Sequence, residues 1–311
     1  MVSPTASVDA WVLTHTGAQE VCRSVLLQNL WGGYGELLRV ELRGGPREFV
    51  ILKRVIPPES KRESVSDARK RRSYECERAW YRNGARGCGA NCRVAEGIAV
   101  EKPLLLLEDL GAAGFHPKRP SINLQLQAGL RWLAHFHSRF LEAPPPGLWK
   151  RGTYWHLETR RDEWKRMPAG LLKDAAETLD LRLRNARFQT VVHGDAKPAN
   201  FLWNPRGEAA AVDFQYVGGG CGIRDVAYLL NCCLGEEECE ARIPGWIDYY
   251  FTALRKAIRA DGNEAKAQEL ETEWRELFPV AWCDFERFLQ GWSRPYAPGR
   301  YGQSLLRQAL S

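Results

Sequence analysis

The residues best equipped for chemistry lie between Val191 and Gln215. His193, Asp195, Lys197 and Asn200 follow the pattern H-x-D-x-K-x-x-N, and a second apolar run, Ala211-Val212, ends in Asp213. Each half reads as the end of a buried strand that hands polar residues to a loop, where chemistry is carried more often than in core strands. These types at this spacing supply what phosphoryl transfer needs. One carboxylate orients or deprotonates the attacking hydroxyl, and a lysine neutralises the moving phosphoryl group. An Asn and a second Asp hold a divalent metal against the phosphates.

The stretch His193 to Asn200 resembles the catalytic loop of protein kinases, with Asp213 in the place of the D-F-G aspartate. The fuller form, HGDAKPANFLW followed by VDFQYVGGGCGIRDVAYLL, is more similar to the small-molecule branch of that superfamily. That branch includes aminoglycoside phosphotransferases, choline kinases and ecdysteroid-kinase-like proteins. The resemblance implies that Asp195 is the catalytic aspartate, that Lys197 touches the γ-phosphate, and that Asn200 and Asp213 bind Mg²⁺. It also implies ATP as phosphoryl donor. Gly194 stands where many protein kinases carry an Arg that reads a phosphorylated activation loop. Only Phe214 to Arg224 separates Asp213 from Asp225, which leaves no room for a regulated loop, and no A-P-E occurs there. Asp225 opens the apolar run Val226 to Leu230 and reads as a helix start; the matching Asp of the family braces the catalytic loop.

These residues need elements to hold them. Phe49-Val50-Ile51-Leu52-Lys53 reads as a strand ending in a cation and resembles the kinase V-A-I-K strand, whose Lys pairs the α- and β-phosphates. A helix follows, in which Glu77 precedes Trp80-Tyr81 as the ion-pair Glu precedes an aromatic pair in small-molecule kinases. Glu75 and Glu77 diverge on a helix, so Glu77 is expected to face Lys53 and Glu75 the surface. Upstream, Gly32, Gly33 and Gly35 would let backbone N–H groups approach phosphates, although a plain hairpin turn would use them equally well. The run Leu104 to Leu107 followed by Glu108-Asp109-Leu110 resembles the kinase hinge, where backbone groups bind the adenine edge. The lobe boundary is placed here.

Further along, Ser121 caps a helix through about Leu141, with Leu126, Leu130, Leu133, His137 and Phe140 on one face. His137 reads as a satisfied core histidine. Residues 155–183 read as charged helix broken at Met167 to Gly170, and Gly218 to Gly222 as a loop able to approach a ligand closely. Trp246, Tyr249, Tyr250, Trp274, Trp282, Phe285 and Trp292 read mostly as core.

Composition bounds the class. The chain has 311 residues, a formal charge of +6 and nine cysteines. That length suits two lobes around large cores. No run approaches the ~18 to 20 apolar residues that span a bilayer, and the start, Met1-Val2-Ser3-Pro4-Thr5, lacks the pattern of a signal peptide. A cytoplasmic protein with reduced thiols is expected, with no membrane partner. Cys88 and Cys92 have ligand-like spacing but no neighbouring His, so no zinc site is expected. Basic residues cluster from Lys61 to Arg72. They read as a solvated helix face; without a nucleic-acid motif no nucleic-acid partner is expected, though some could raise the potential near nucleotide phosphates.

The expected fold is α+β and protein-kinase-like, with a β-rich N-lobe (residues 1–108, nucleotide-binding) and a helical C-lobe (109–311, catalytic loop and acceptor helices). The expected activity is ATP- and Mg²⁺-dependent phosphorylation of a small-molecule hydroxyl, of a sterol or terpenoid, an amino alcohol or an aminoglycoside. The rivals are a nucleotide-binding pseudokinase scaffold and a protein kinase.

Overall fold

Strand-forming segments come first in the chain. The computed structural model describes residues 4–58, 64–260, 264–293 and 296–311; the first three residues and Lys61 lie outside them. Helix α1 (Pro4–Thr16) leads into β1 (Glu20–Asn29), β2 (Gly35–Arg43) and β3 (Phe49–Val55), then helix α2 (Val65–Asn83). After it come β4 (Arg93–Val94), β5 (Gly97–Glu101) and β6 (Leu104–Glu108). An antiparallel five-stranded sheet forms in the order β1-β2-β3-β6-β5. Side chains alternate across it. Val40, Leu42, Val50, Leu52, Leu104 and Leu106 pack on one face with Val12 of α1. Leu105 and Leu107 turn to the other face and join the core of Trp80 and Tyr81 from α2.

Helices dominate the remainder: α3 (Ile122–Arg139), α4 (Arg161–Arg166), α5 (Leu171–Asp174) and α6 (Ala176–Arg184). Short strands β7 (Thr190–Val192), β8 (Phe201–Trp203), β9 (Ala209–Ala211) and β10 (Gly218–Gly220) follow. The chain ends with α7 (Ile223–Cys233), α8 (Glu236–Ala260), α9 (Glu264–Trp292) and α10 (Arg300–Leu310). The expected α3 stripe of Leu126, Leu130, Leu133 and His137 is buried. His137 is satisfied there, with Nδ1 2.8 Å from the Tyr250 hydroxyl and Nε2 3.3 Å from Asp225 Oδ2.

Helix α2 lies under the sheet yet bonds across to the helical part along its length. Arg69 donates to Thr159 O at 2.8 Å, Lys70 to Gln215 Oε1 at 3.1 Å and Arg72 to Leu148 O at 3.1 Å. Further along the helix, Cys76 Sγ donates to Val217 O at 3.1 Å and Asn83 to Pro146 O at 3.1 Å. The Trp80 ring stacks on Phe214 at 4.7 Å. The basic stretch is therefore no simple solvated face: Arg69, Lys70 and Arg72 reach carbonyl and amide oxygens of the facing half.

Two further expectations are corrected. Gly218 to Gly220 form strand β10 rather than a ligand loop, paired with β7 through Gly218↔Val192 and Gly220↔Thr190. A Cβ on Gly218 would collide with the Trp149 carbonyl, and one on Gly219 would lie 2.8 Å from Lys150 O. These glycines admit a neighbouring backbone. Trp292, read as core, is 52 % exposed at the end of α9.

Candidate active site

Strand β7 delivers His193 to Asp195 into the space between the sheet and the helices. The loop is fixed from behind by Asp225, near the start of α7. Its Oδ2 accepts the His193 N–H at 2.6 Å and its Oδ1 the Gly194 N–H at 3.0 Å. His193 bridges forward, with Nε2 3.0 Å from Val212 O and Nδ1 accepting the Asp195 N–H at 3.3 Å. Gly194 has φ +80°, and a Cβ there would collide with the Tyr216 carbonyl and lie 2.6 Å from Thr153 N. An Arg here would collide with the backbone of residues 153 and 216 as this chain arranges it.

Asp195 is buried, and three side chains converge on its carboxylate. Oδ2 accepts from Lys197 Nζ at 3.0 Å and from Asn200 Nδ2 at 2.8 Å. Oδ1 accepts from the Tyr228 hydroxyl at 3.1 Å, which leaves it room for one more donor. Burial, with Asp213 nearby, pushes the Asp195 carboxyl upward, against the pull of Lys197. Burial pulls Lys197 down, but the adjacent Asp195 and the more distant Asp213 outweigh it and hold the ammonium above its ordinary range.

Asp213 stands in the left-handed region, at φ 65° and ψ 64°, a conformation a non-glycine residue adopts where its surroundings impose it. Its Oδ1 is buried without a hydrogen-bond partner. Asn200 spends its NH₂ on the Asp195 carbonyl and carboxylate, which leaves its amide oxygen as a ligand. An orphaned carboxylate oxygen and a free amide oxygen are hard donors that fit Mg²⁺. No group of three or more His, Cys, Asp or Glu that could hold a metal occurs among the described residues, so Asn200 and Asp213 would hold the ion together with water or phosphate oxygens.

Across the site, Lys53 of β3 and Glu77 of α2 form a buried bidentate pair, 2.8 and 2.6 Å from Nζ to the two carboxylate oxygens. Burial raises the Glu77 carboxyl and the Lys53 ammonium opposes it. Glu75 is exposed. The glycine-rich turn joins β1 to β2, with Leu30 N–H bonded to Gly35 O at 2.8 Å. Gly32 and Gly33 have positive φ, and a Cβ on Gly33 would meet no atom within 4 Å. Gly35 is glycine for a different reason, because a Cβ would collide with the Arg54 carbonyl of β3.

At the end of β6 the side chains serve the fold. Glu108 pairs with Arg93, and Asp109 accepts from Arg39 Nε at 2.6 Å and from Gly111 N–H at 2.7 Å. Any contact of Glu108, Asp109 or Leu110 with a ligand is left to the backbone.

Sequence reasoning missed three residues. Tyr228 sits in an apolar run, although its place one turn after Asp225 puts it on the face that meets the loop. Tyr154, whose hydroxyl is 3.2 Å from that of Tyr228, carries no local signal. Lys70 was hidden in a basic stretch.

No curated protein matches the chain. Similar solved structures include a Thermobifida fusca protein described as a fructosamine-3-kinase, 19% identical, covering 98% of this chain and 97% of its own, at a TM-score of 0.57. Others are a macrolide 2'-phosphotransferase of Brachybacterium faecium (11% identity, 94% and 98% coverage, TM-score 0.54) and an amicoumacin kinase (13%, 99% and 92%, 0.52). At these identities they show the fold, which is protein-kinase-like and two-lobed, with a β-rich first part and a helical second part. The model of the phosphotransferase enzyme family matches residues 32–261, a span that runs from the glycine-rich turn through the His193–Asn200 loop to the end of α8. The chain therefore belongs to that family and is a small-molecule kinase.

Proposed function

We propose that this kinase transfers the γ-phosphoryl group of ATP to a hydroxyl of a small, ring-bearing molecule, with Mg²⁺ at Asn200 and Asp213. Residues 1–108 form the nucleotide-binding lobe in this reading, and 109–311 the lobe of the catalytic loop and acceptor helices. The observation that carries it is the convergence of Tyr228, Lys197 and Asn200 on Asp195, opposite the Lys53–Glu77 pair.

The roles follow from charge and reach. Lys53, held in place by Glu77, neutralises the non-transferred phosphates. Gly32 and Gly33 offer the backbone of an open turn to them, with Gly35 setting the turn against β3. The backbone of Glu108 to Leu110 borders the base. Asp195 Oδ1 receives the acceptor hydroxyl and takes its proton as the oxygen attacks. Lys197 reaches the moving phosphoryl group from the same loop. Mg²⁺ bound at Asn200 and Asp213 would supply charge neutralisation across the phosphates.

Beside Asp195 the walls are aromatic. The Tyr154 ring is 5.8 Å from that of Tyr216 and 6.0 Å from that of Tyr228, and Tyr216 stacks on Trp149 at 6.1 Å. Arg160 lies 5.6 Å from the Tyr154 ring. Of Glu236, Glu237, Glu238 and Glu240, the acidic group that could serve a polycation, Glu236 accepts the Tyr301 N–H, Glu238 pairs with Arg242, and Glu237 and Glu240 are exposed. The aromatic walls support a neutral ring system such as a sterol or terpenoid over a polycationic aminoglycoside. The test is a γ-phosphate transfer screen over sterols, terpenoid alcohols, amino alcohols, fructosamines and aminoglycosides, with casein and histone alongside. Labelling of a ring-bearing alcohol is expected. Labelling of proteins alone would turn the reading to a protein kinase, and nucleotide binding without transfer or hydrolysis would turn it to a scaffold.

A further inference from the structure

Helix α2 carries a lysine that none of these roles uses. Lys70 lies two turns before Glu77 and so on the same face of the helix. Its Nζ donates to Gln215 Oε1 at 3.1 Å, two residues beyond Asp213. Ser73 donates to the same amide oxygen, also at 3.1 Å. The Tyr74 ring is flanked by two ammonium groups, with Lys70 Nζ 4.9 Å and Lys53 Nζ 5.3 Å from its centroid.

The three lysines of the site differ in one respect. Lys53 has Glu77 as counter-ion and Lys197 has Asp195. Lys70 makes no ion pair with a carboxylate of any described residue. Burial lowers its affinity for a proton, and the more distant carboxylates of Asp213, Glu77 and Asp195 act the other way. A half-buried ammonium whose contacts are a neutral amide oxygen and the Tyr74 ring has no counter-ion to offset its burial. Two buried polar atoms near it are also without partners, Asp213 Oδ1 and the Tyr74 hydroxyl. An anion bridging this space would meet the cation, and a metal would meet the Asp213 oxygen.

We infer that Lys70 is a third phosphate-binding lysine, which holds the transferred phosphoryl group from the α2 side of the cleft, opposite Lys197. The inference rests on the kinase reading of the site. Lys197 approaches the phosphoryl group from the catalytic loop and Lys53 serves the phosphates that stay behind. Lys70 is tied to the loop that carries Asp213, so it adds charge where negative charge moves during transfer.

The test compares ATP with ADP. Lys70→Met keeps the aliphatic stem and removes the charge; Lys70→Gln and Lys70→Arg are its companions in case the Met variant folds poorly. Binding of each nucleotide to the full chain is measured by titration calorimetry with Mg²⁺, and kcat is followed with whichever acceptor the screen identifies. Lys70→Met and Lys70→Gln should lose about tenfold or more in ATP affinity and less than about twofold in ADP affinity, as expected for one charge-assisted contact to the γ-phosphate. Lys70→Arg should recover most of the loss. Equal losses for ATP and ADP, or no loss for either, would overturn the role of Lys70 while leaving the kinase reading intact. Wild-type protein that bound neither nucleotide would overturn both.

Discussion

The Tyr228 hydroxyl donates to Asp195 Oδ1 at 3.1 Å, on the carboxylate oxygen that Lys197 and Asn200 leave alone. Burial holds the Tyr228 phenol far above its ordinary range, so it remains protonated and can only donate to an ionised Asp195. A helix that braces the loop through Asp225 thus also aims the carboxylate, one turn later.

Removing that donor should show in the pH profile. In the proposed mechanism Asp195 acts as its carboxylate, and burial raises its carboxyl, so activity should fall on the acid side at a pH above the range of a free aspartate. Tyr228→Phe takes away a hydrogen bond to the ionised form and pushes that acid limb further up. The kcat/KM profile should shift toward neutral pH, with a loss of about tenfold or less at its plateau. An unmoved limb would show that the tyrosine serves packing alone.

Asp195→Asn should lower kcat by about a thousandfold or more and change nucleotide affinity little, because the carboxylate meets the acceptor and not ATP. Single-turnover rates and nucleotide titrations on the same protein separate the two effects. A matching loss of nucleotide affinity would mean that Asp195 supports the donor side.

Asp213→Asn leaves the left-handed backbone in place and removes the one carboxylate at the proposed cation position. ATP affinity in the presence of Mg²⁺ should fall by about tenfold or more, while affinity measured in EDTA changes little. Equal affinity with and without the metal in the wild-type protein would remove Asp213 from the metal site.

Glu77→Gln breaks a buried pair from one side. Lys53 is 6 % exposed and would be left buried without its counter-ion. Such a loss costs about 3 to 5 kcal/mol of stability, readable in chemical denaturation, together with a fall in kcat. Removing both charges, as Lys53→Met with Glu77→Leu, should recover stability without recovering activity.

Away from the site, burial pushes the Glu286 carboxyl on α9 up to about 7. It is packed against Gly302 of α10, and Tyr296 donates to it at 3.3 Å. An acid whose folded value lies above its unfolded value binds more protons when folded, so its contribution is present at low pH and is lost as pH rises from about 4.5 to 7. Glu286→Gln should therefore stabilise the protein at pH 8 and have little effect at pH 5. Thermal melts at the two pH values check this.

Much of the site was legible because its chemistry is local. His193 to Asn200 and Asp213 lie on loops whose residue types and spacing carry meaning without a fold, and the Lys53–Glu77 pair was reached by adding helix geometry to a strand-end lysine. Side chains whose role depends on which helix packs where were not legible. Tyr228 looks apolar in sequence, and Lys70 is one cation among several until α2 is set against Gln215. Glycine misled in one place for a related reason. Gly218 to Gly220 do signal close approach, but a sequence cannot say that the approaching group is the backbone of residues 149–152.

Helix α2 precedes the hinge in sequence, yet its bonds to Thr159, Gln215, Leu148, Val217 and Pro146 join it to the helical half. Mechanically it travels with the catalytic loop. The helix is also bonded to the N-terminal half, through Lys53–Glu77, Tyr34–Asp67 and Arg82 to Val100 O at 2.8 Å, and these are the joints that a sliding of the sheet over α2 would load. A swing of α2 alone, outward and back, would break hydrogen bonds from Arg69 to Asn83 at once. Control by repositioning this helix would have to break that whole set together. The molecule's tempo is left to the sheet, to the entry of nucleotide beneath it and to the departure of product.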